Sequence, residues 1–247
     1  MLDLRIAEGL EALEVNVDFA GRQSTIHPVL IWDNETVILV DTGFPGTEQK
    51  LKEAAEGEGV PFDRVDKIII THQDIDHIGG LPAIIAKAKG KIVVFAHEIE
   101  KPYIEGEKPL IKFNPVRLAK MLEGMPEERR SRLGSLLSNP PKSKVDVALQ
   151  DGQKLPYCGG ITVIHTPGHT PGHISLYHVQ SKTLIAGDAL IADRGHLSGP
   201  NPASAFDIDE ANRSVEKFKQ FDIENVICYH GGVCRDNIRN RIAELAK

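Results

Sequence analysis

Thr71-His72-Gln73-Asp74-Ile75-Asp76-His77-Ile78-Gly79-Gly80 follows directly on a strand-like run from Val65 that contains Ile68-Ile69-Ile70. Three consecutive isoleucines suit a strand buried on both faces, as in a sheet covered by other layers. A strand that stops at two imidazoles and two carboxylates puts polar chemistry at a sheet end, where loops carry sites. Imidazole and carboxylate are the side chains that hold first-row divalent cations. A tight turn also lets alternate residues of one loop address neighbouring ions.

Three more residues of the same kind follow apolar runs further along: His169 in Thr166-Pro167-Gly168-His169, Asp188 in Ala186-Gly187-Asp188, and His230 in Cys228-Tyr229-His230-Gly231. A shared carboxylate can bridge two ions. Two cations roughly 3.5–4 Å apart bind a bridging hydroxide, lower its pKa toward neutrality and polarise a carbonyl or phosphoryl oxygen. That is hydrolytic chemistry without a side-chain nucleophile.

Working outward, short β-branched runs at 13–20, 26–32 and 36–40 predict strands, the last ended by Asp41-Thr42-Gly43. A helix is expected over 47–56, with Thr47 as N-cap and Gly57 as a stop, and another over 79–89, with Pro82 in its first turn. Lys91 to Ala96 reads as the next strand. From about 98 to 143 prolines separate charged, helix-prone pieces, Val116 to Glu123 and Glu127 to Leu137; this reads as a helical insertion or cap too short for a core of its own. Strands are expected at 144–149, 161–165, 174–179, 183–187 and 225–229, and helices at 207–221 and 236–246. Two β-rich halves, each ending in helices, predict an α+β, αββα sandwich in which residues 1–247 form a single domain.

The chain has 247 residues, 41% hydrophobic, enough to bury a substantial core. Its 29 basic and 35 acidic residues give a net charge of -6, so no global basic field collects nucleic acid or an anionic membrane. No apolar run approaches membrane-spanning length and the N-terminus lacks signal-peptide character, so a cytoplasmic location is expected. The expected partners are a small-molecule substrate and, at most, a second copy in a homodimer. Cys158, Cys228 and Cys234 form no CxxC pair and are expected as buried free thiols.

The ordered set Asp41-Thr42-Gly43, Thr71 to Gly80, His165-Thr166-Pro167-Gly168-His169-Thr170, Gly187-Asp188 and Tyr229-His230-Gly231 resembles the metallo-β-lactamase superfamily, in particular its glyoxalase II and acyl-homoserine-lactonase-like branches. The resemblance covers nearly the whole chain. It implies that His72, Asp74 and His169 hold one divalent cation and Asp76, His77 and His230 a second, with Asp188 bridging. Zinc is the first expectation, manganese or iron the alternatives. The departure is Asp74, where the family usually has histidine. A carboxylate there removes one unit of positive charge from the loaded site and tilts its preference from zinc toward oxygen-loving metals.

The same resemblance implies hydrolysis of a small ester, lactone or thioester, with Asp76 and Asp188 catalytic. Tyr103, Ile104, Leu110, Ile111 and Phe113 of the insertion are the candidate roof of an acyl pocket. In lactonase-like relatives a polar side chain approaches the substrate carbonyl, a role open here to His196 or Tyr103. Cleavage of a small phosphodiester, iron-dependent oxidation and a non-enzymatic metal-binding role are the competing functions. Asp41 is expected to orient a ligating imidazole, His173 to play a supporting part, and His165 to be a hydrogen-bonded core histidine. Gly79-Gly80 lacks the Lys-Ser/Thr of a phosphate loop.

Overall fold

The structure is a computed structural model and describes residues 5–19, 22–112, 123, 126, 127, 130, 134 and 138–246. A seven-stranded sheet has the order β1 (Arg5–Ala7), β2 (Leu10–Ala12), β5 (Val29–Trp32), β6 (Val37–Val40), β7 (Lys67–Ile70), β8 (Val93–His97) and β9 (Val147–Leu149). Its last four strands are parallel. A hairpin of β3 (Val15–Phe19) and β4 (Arg22–Ile26) stands beside it.

The second sheet has six strands in the order β10 (Lys154–Leu155), β11 (Ile161–His165), β12 (Ile174–His178), β13 (Thr183–Gly187), β16 (Asn225–Cys228) and β17 (Gly232–Cys234). Here β13 and β16 are parallel. A second hairpin, β14 (Ile191–Asp193) and β15 (His196–Ser198), turns through Arg194 and Gly195, both in the left-handed region at φ 48° and 81°. The helices are α1 (Glu48–Gly57), α2 (Ile75–Ile78), α3 (Leu81–Lys87), α4 (Lys101–Ile104), α5 (Ile208–Val215) and α6 (Ile238–Leu245). Among the described residues no helix is long and apolar enough to cross a membrane.

Strand alternation sorts the core into three layers. On β6, Val37 and Leu39 pack outward with Leu51, Ala55 and Ile84 of α1 and α3, while Ile38 and Val40 face the second sheet. On β7, Ile68 and Ile70 go outward and Ile69 inward, meeting Val163, Leu176, Ile185 and Ile227. Leu184 and Ala186 of β13 turn to the far side, against Val215 and Phe218 and against Ile238 and Ile242 of α6. The result is helices, sheet, sheet, helices. Each fully buried Leu or Ile contributes roughly 1.5–3 kcal/mol of transfer free energy. Burial on both faces is why Ile68-Ile69-Ile70 carries no polar residue.

Several expectations are corrected. The strand expected over 13–20 is β3, which begins at Val15, and 26–32 is broken before β5, where Pro28 donates no N–H and its carbonyl accepts from Leu13 N at 2.8 Å. The helix over 207–221 ends at Val215 and continues as a 3-10 turn over Glu216–Gln220; its start is capped by the Asp207 carboxylate, which accepts from Glu210 N at 2.9 Å. The insertion joins β8 to its parallel neighbour β9. The helices expected over 116–123 and 127–137 lie outside the described residues, as does Phe113. Ile104 and Leu110 are buried in the outer core layer instead of roofing a pocket, and Tyr103 packs against that layer.

Candidate metal centre

All the clustered residues leave strand ends. Asp41 follows β6, His72 to His77 follow β7, His169 follows β11, Asp188 follows β13 and His230 follows β16. After β7 the chain stays extended through Asp74 (φ -66°, ψ 147°) and then coils into α2, which turns Asp76 and His77 toward the same space as His72 and Asp74. The turn 41–43 clamps α2. Thr42 donates to the His77 carbonyl through its N–H at 2.7 Å and through Oγ1 at 2.6 Å. A Cβ on Gly80 would lie 2.3 Å from the Thr42 carbonyl oxygen, so the second glycine of the pair serves this backbone approach.

Buried partners fix the imidazoles. His77 Nδ1 donates to Asp41 Oδ2 at 2.8 Å, and His72 Nδ1 to Thr71 Oγ1 at 3.0 Å, the threonine hydroxyl donating on to Asp41 Oδ2 at 2.8 Å. As neutral imidazoles, both rings therefore point an Nε2 lone pair into the cluster. His173 is fully buried and donates from Nδ1 to Thr166 Oγ1 at 2.8 Å, so its Nε2 accepts from Asp188 N at 3.0 Å and holds the backbone of that aspartate. The buried Glu100 ties two site loops together. It accepts from Gln73 N at 2.9 Å and Gln73 Nε2 at 3.0 Å, and from Thr170 Oγ1 and Gly172 N, each at 2.8 Å.

The donor atoms converge in two groups. Asp74 Oδ2 lies 3.3 Å from His72 Nε2 and 3.1 Å from His169 Nε2. Asp76 Oδ2 lies 3.7 Å from His77 Nε2 and 3.3 Å from His230 Nε2. Asp188 spans them: Oδ1 is 3.5 Å from His77 Nε2, and Oδ2 is 3.2 Å from His169 Nε2 and 3.6 Å from His230 Nε2. His72 with Asp74 and His169, and His77 with Asp76 and His230, each could hold a cation, as could His72, His77 and Asp188 together.

Electrostatics agree with a site short of positive charge. Burial works against ionised Asp188 and Asp74, yet surrounding imidazoles, with Lys112 beside Asp74, hold both well below the usual carboxylate range. Burial opposes a charged His77, but Asp41, Asp76 and Asp188 raise it well above its ordinary value, and Asp188 and Asp76 likewise raise the half-exposed His230 to about 10. Burial and the neighbouring His77 push His72 down to about 4. The residues fit a cation: His72 Nε2, His77 Nε2 and Asp188 Oδ1 are buried with no hydrogen-bond partner, and a bound cation would satisfy all three.

A cavity of about 350 Å³ opens over the cluster, lined among the described residues by Asp74, Asp76, His169, Asp188, His230, Leu190, Ile191, Asn201 and Ser204. His196 is exposed on β15 and outside this lining; Asn201 and Ser204, a few residues on, are the polar side chains that reach it. His165 accepts no cluster role: its Nε2 lies 3.0 Å from the Pro171 carbonyl and its ring stacks on His97 at 4.2 Å. The three cysteines are free and buried. Sequence reasoning missed Glu100, Lys112, Asn201 and Ser204.

The sequence profile of the metallo-beta-lactamase superfamily matches residues 22–230. The chain belongs to that superfamily. It is 28% identical over 261 residues to the probable metallo-hydrolase YflN of Bacillus subtilis (strain 168), covering 97% of this chain and 90% of that one. The probable metallo-hydrolase YybB of the same organism is 30% identical over 209 residues, 83% of this chain and 80% of its own. The hydroxyacylglutathione hydrolase of Pseudomonas paraeruginosa is 39% identical over 137 residues, 53% of this chain and 36% of that one. In fold, a metallo-beta-lactamase family protein from Thermus thermophilus superposes with a TM-score of 0.70 at 24% identity, covering 98% of this chain and 79% of that one.

Proposed function

We propose that this chain is a metallo-hydrolase that cleaves a small ester, lactone or thioester, using two divalent cations, with zinc the first candidate. The observation that carries the reading is the set of buried, partnerless donor atoms on His72, His77 and Asp188, in a cluster whose Asp74, Asp76, His169, Asp188 and His230 line an open cavity. When bound, a pair of divalent cations supplies Lewis acidity toward a carbonyl oxygen and makes water a competent nucleophile near neutral pH. His72, Asp74 and His169 would hold one, Asp76, His77 and His230 the other.

Asp188 reaches both groups, with Oδ1 beside His77 and Oδ2 beside His169 and His230, and would keep them in register. Asp76, whose Oδ2 lies 3.3 Å from His230 Nε2, would take the proton that the attacking water gives up as its bond to the carbonyl carbon forms, and return it to the leaving oxygen or sulfur as the substrate bond breaks. Asn201 and Ser204 orient the substrate at the cavity wall. The cavity volume suits a small molecule. The likeness to hydroxyacylglutathione hydrolases over about half of the chain supports a thioester among the substrates.

The test is a panel of lactones, thioesters and carboxylic esters, with bis-p-nitrophenyl phosphate as the phosphodiester arm, offered to protein reconstituted with zinc, manganese or iron. Turnover of a carboxylic substrate is expected. Turnover of the phosphodiester alone, or of nothing, overturns the reading. Asp188→Ala should lose metal and activity together, and His169→Ala should lose the ion of the Asp74 half together with activity.

A further inference from the structure

Lys112 enters the cluster from the insertion. Its Nζ lies 2.6 Å from Asp74 Oδ2 and 2.6 Å from His169 Nε2, and the side chain is only 11% exposed. This is no loose surface lysine. The preceding Ile111 donates its N–H to Gln73 Oε1 at 2.8 Å, and Gln73 Nε2 donates to the buried Glu100 at 3.0 Å. The backbone that delivers Lys112 is thereby pinned to the loop that carries His72 and Asp74.

A neutral imidazole offers a single lone pair, on the nitrogen without a hydrogen. His169 Nε2 has the Lys112 ammonium at 2.6 Å and Asp74 Oδ2 at 3.1 Å, and whether it accepts from the first or donates to the second, its lone pair is not free for a cation at the same time. Asp74 Oδ2 is held by the same ammonium. The other half of the centre differs in its charge: among the described residues no lysine or arginine pairs with Asp76 or Asp188, while buried donor atoms without a hydrogen-bond partner stand on both sides, His72 Nε2 in the Asp74 half and His77 Nε2 and Asp188 Oδ1 in the other.

We propose that Lys112 is a built-in cation for the Asp74 half of the centre, so that the chain loads its first dication at Asp76, His77 and His230 and admits a second only when Lys112 is displaced. The proposal rests on the metal-centre reading and goes beyond it. The three carboxylates Asp74, Asp76 and Asp188 are balanced by one dication and one ammonium, whereas a second dication would meet the ammonium as a like charge in a nearly buried site. It also gives the aspartate at position 74 a reason. A histidine there would leave Lys112 without a carboxylate.

The experiment is calorimetric titration of the metal-stripped full chain with zinc, checked by metal content after dialysis, for the wild type, Lys112→Met and His230→Ala. The wild type should bind one ion tightly and a second at least about tenfold more weakly. Lys112→Met should tighten the second step by roughly tenfold or more, a change of about 1.4 kcal/mol or greater, and leave the first unchanged. His230→Ala should abolish the tight step. Two equal steps in the wild type, or an unchanged second step in Lys112→Met, would overturn the assignment while leaving the metal centre standing. No zinc binding by any folded protein would overturn both. Lys112→Gln, with circular dichroism on each variant, serves if the methionine variant misfolds.

Discussion

Asp41 Oδ2 lies 2.8 Å from His77 Nδ1, and Asp41 reaches it from a left-handed backbone, φ 63°, at the end of β6. That conformation is disfavoured for most side chains, and two hydrogen bonds from Thr71, through its N–H and Oγ1 at 2.8 Å each, help hold it. Asp41→Asn separates orientation from backbone shape. Asparagine tolerates the left-handed region and still accepts from the Thr71 N–H. Its amide group, however, donates toward His77 Nδ1 and drives the imidazole hydrogen onto Nε2, the atom that faces the cluster. Zinc affinity should fall about 10- to 100-fold, the usual effect of losing an orienting partner, with little change in the melting temperature of the metal-free protein. Competition with a chromophoric chelator measures it, and an unchanged affinity would remove Asp41 from the site.

Glu100 makes a different prediction, because it holds loops together instead of a single ring. Its four donors come from residues 73, 170 and 172. Burial raises its carboxyl above the usual range even though the hydrogen bonds from Thr170, Gln73 and Gly172 oppose this. Glu100→Gln places an NH2 group against two donors. Stability should drop by about 2–4 kcal/mol, the range for a broken buried polar network. For a chain of this size that lowers the melting temperature by roughly 4–16 °C. Zinc binding should weaken with it, and a variant that melts like the wild type would show that the network is dispensable.

These two residues also mark what could be read from the sequence. His72, Asp74, Asp76, His77, His169, Asp188 and His230 were legible because each follows an apolar run, and strand ends on one side of a sandwich must converge. Asp41 could be anticipated for the same reason. Glu100 sits 27 positions from Gln73 and 70 from Thr170, at no recurring interval, so only the packed sheets reveal that it joins their loops. Lys112 belongs to a proline-broken stretch whose charge reads as solvated surface until the fold brings it against Asp74. The hairpin carrying His196 did leave a local signal, the two-residue turn Arg194-Gly195, but its strands have only three residues each.

A pH effect on stability is expected from His97, which lies outside the cluster. Burial, then the stacked His165, lowers its pKa from 6.5 to about 4. A base depressed in the folded state contributes stability that is fully present above pH 6.5 and is lost as pH falls through about 4. The loss amounts to about 3 kcal/mol at most. Denaturant unfolding of metal-stripped wild type and His97→Phe, followed from pH 7 to pH 4, should show the variant losing less stability over that interval. Parallel curves would show that other groups dominate the acid response.

The strongest coupling should appear between Asp74 and Lys112, whose charged atoms are 2.6 Å apart. In the wild type Lys112→Met removes the ammonium and leaves Asp74 among His72 and His169, which can still share a proton with it, so the metal-free protein should lose little stability. Asp74→His does the reverse: it strands a nearly buried ammonium between imidazoles, and breaking such a pair from one side should cost about 3–5 kcal/mol. On that background Lys112→Met becomes stabilising, because it removes the stranded charge. The change of sign is the signature, with an interaction free energy of about 1–3 kcal/mol in a double-mutant cycle on chemical denaturation. The double variant, with three imidazoles and no ammonium, should also take up the second zinc more readily than either single variant. Additive effects in the cycle would mean that Asp74 and Lys112 act independently, and the aspartate would then need another explanation.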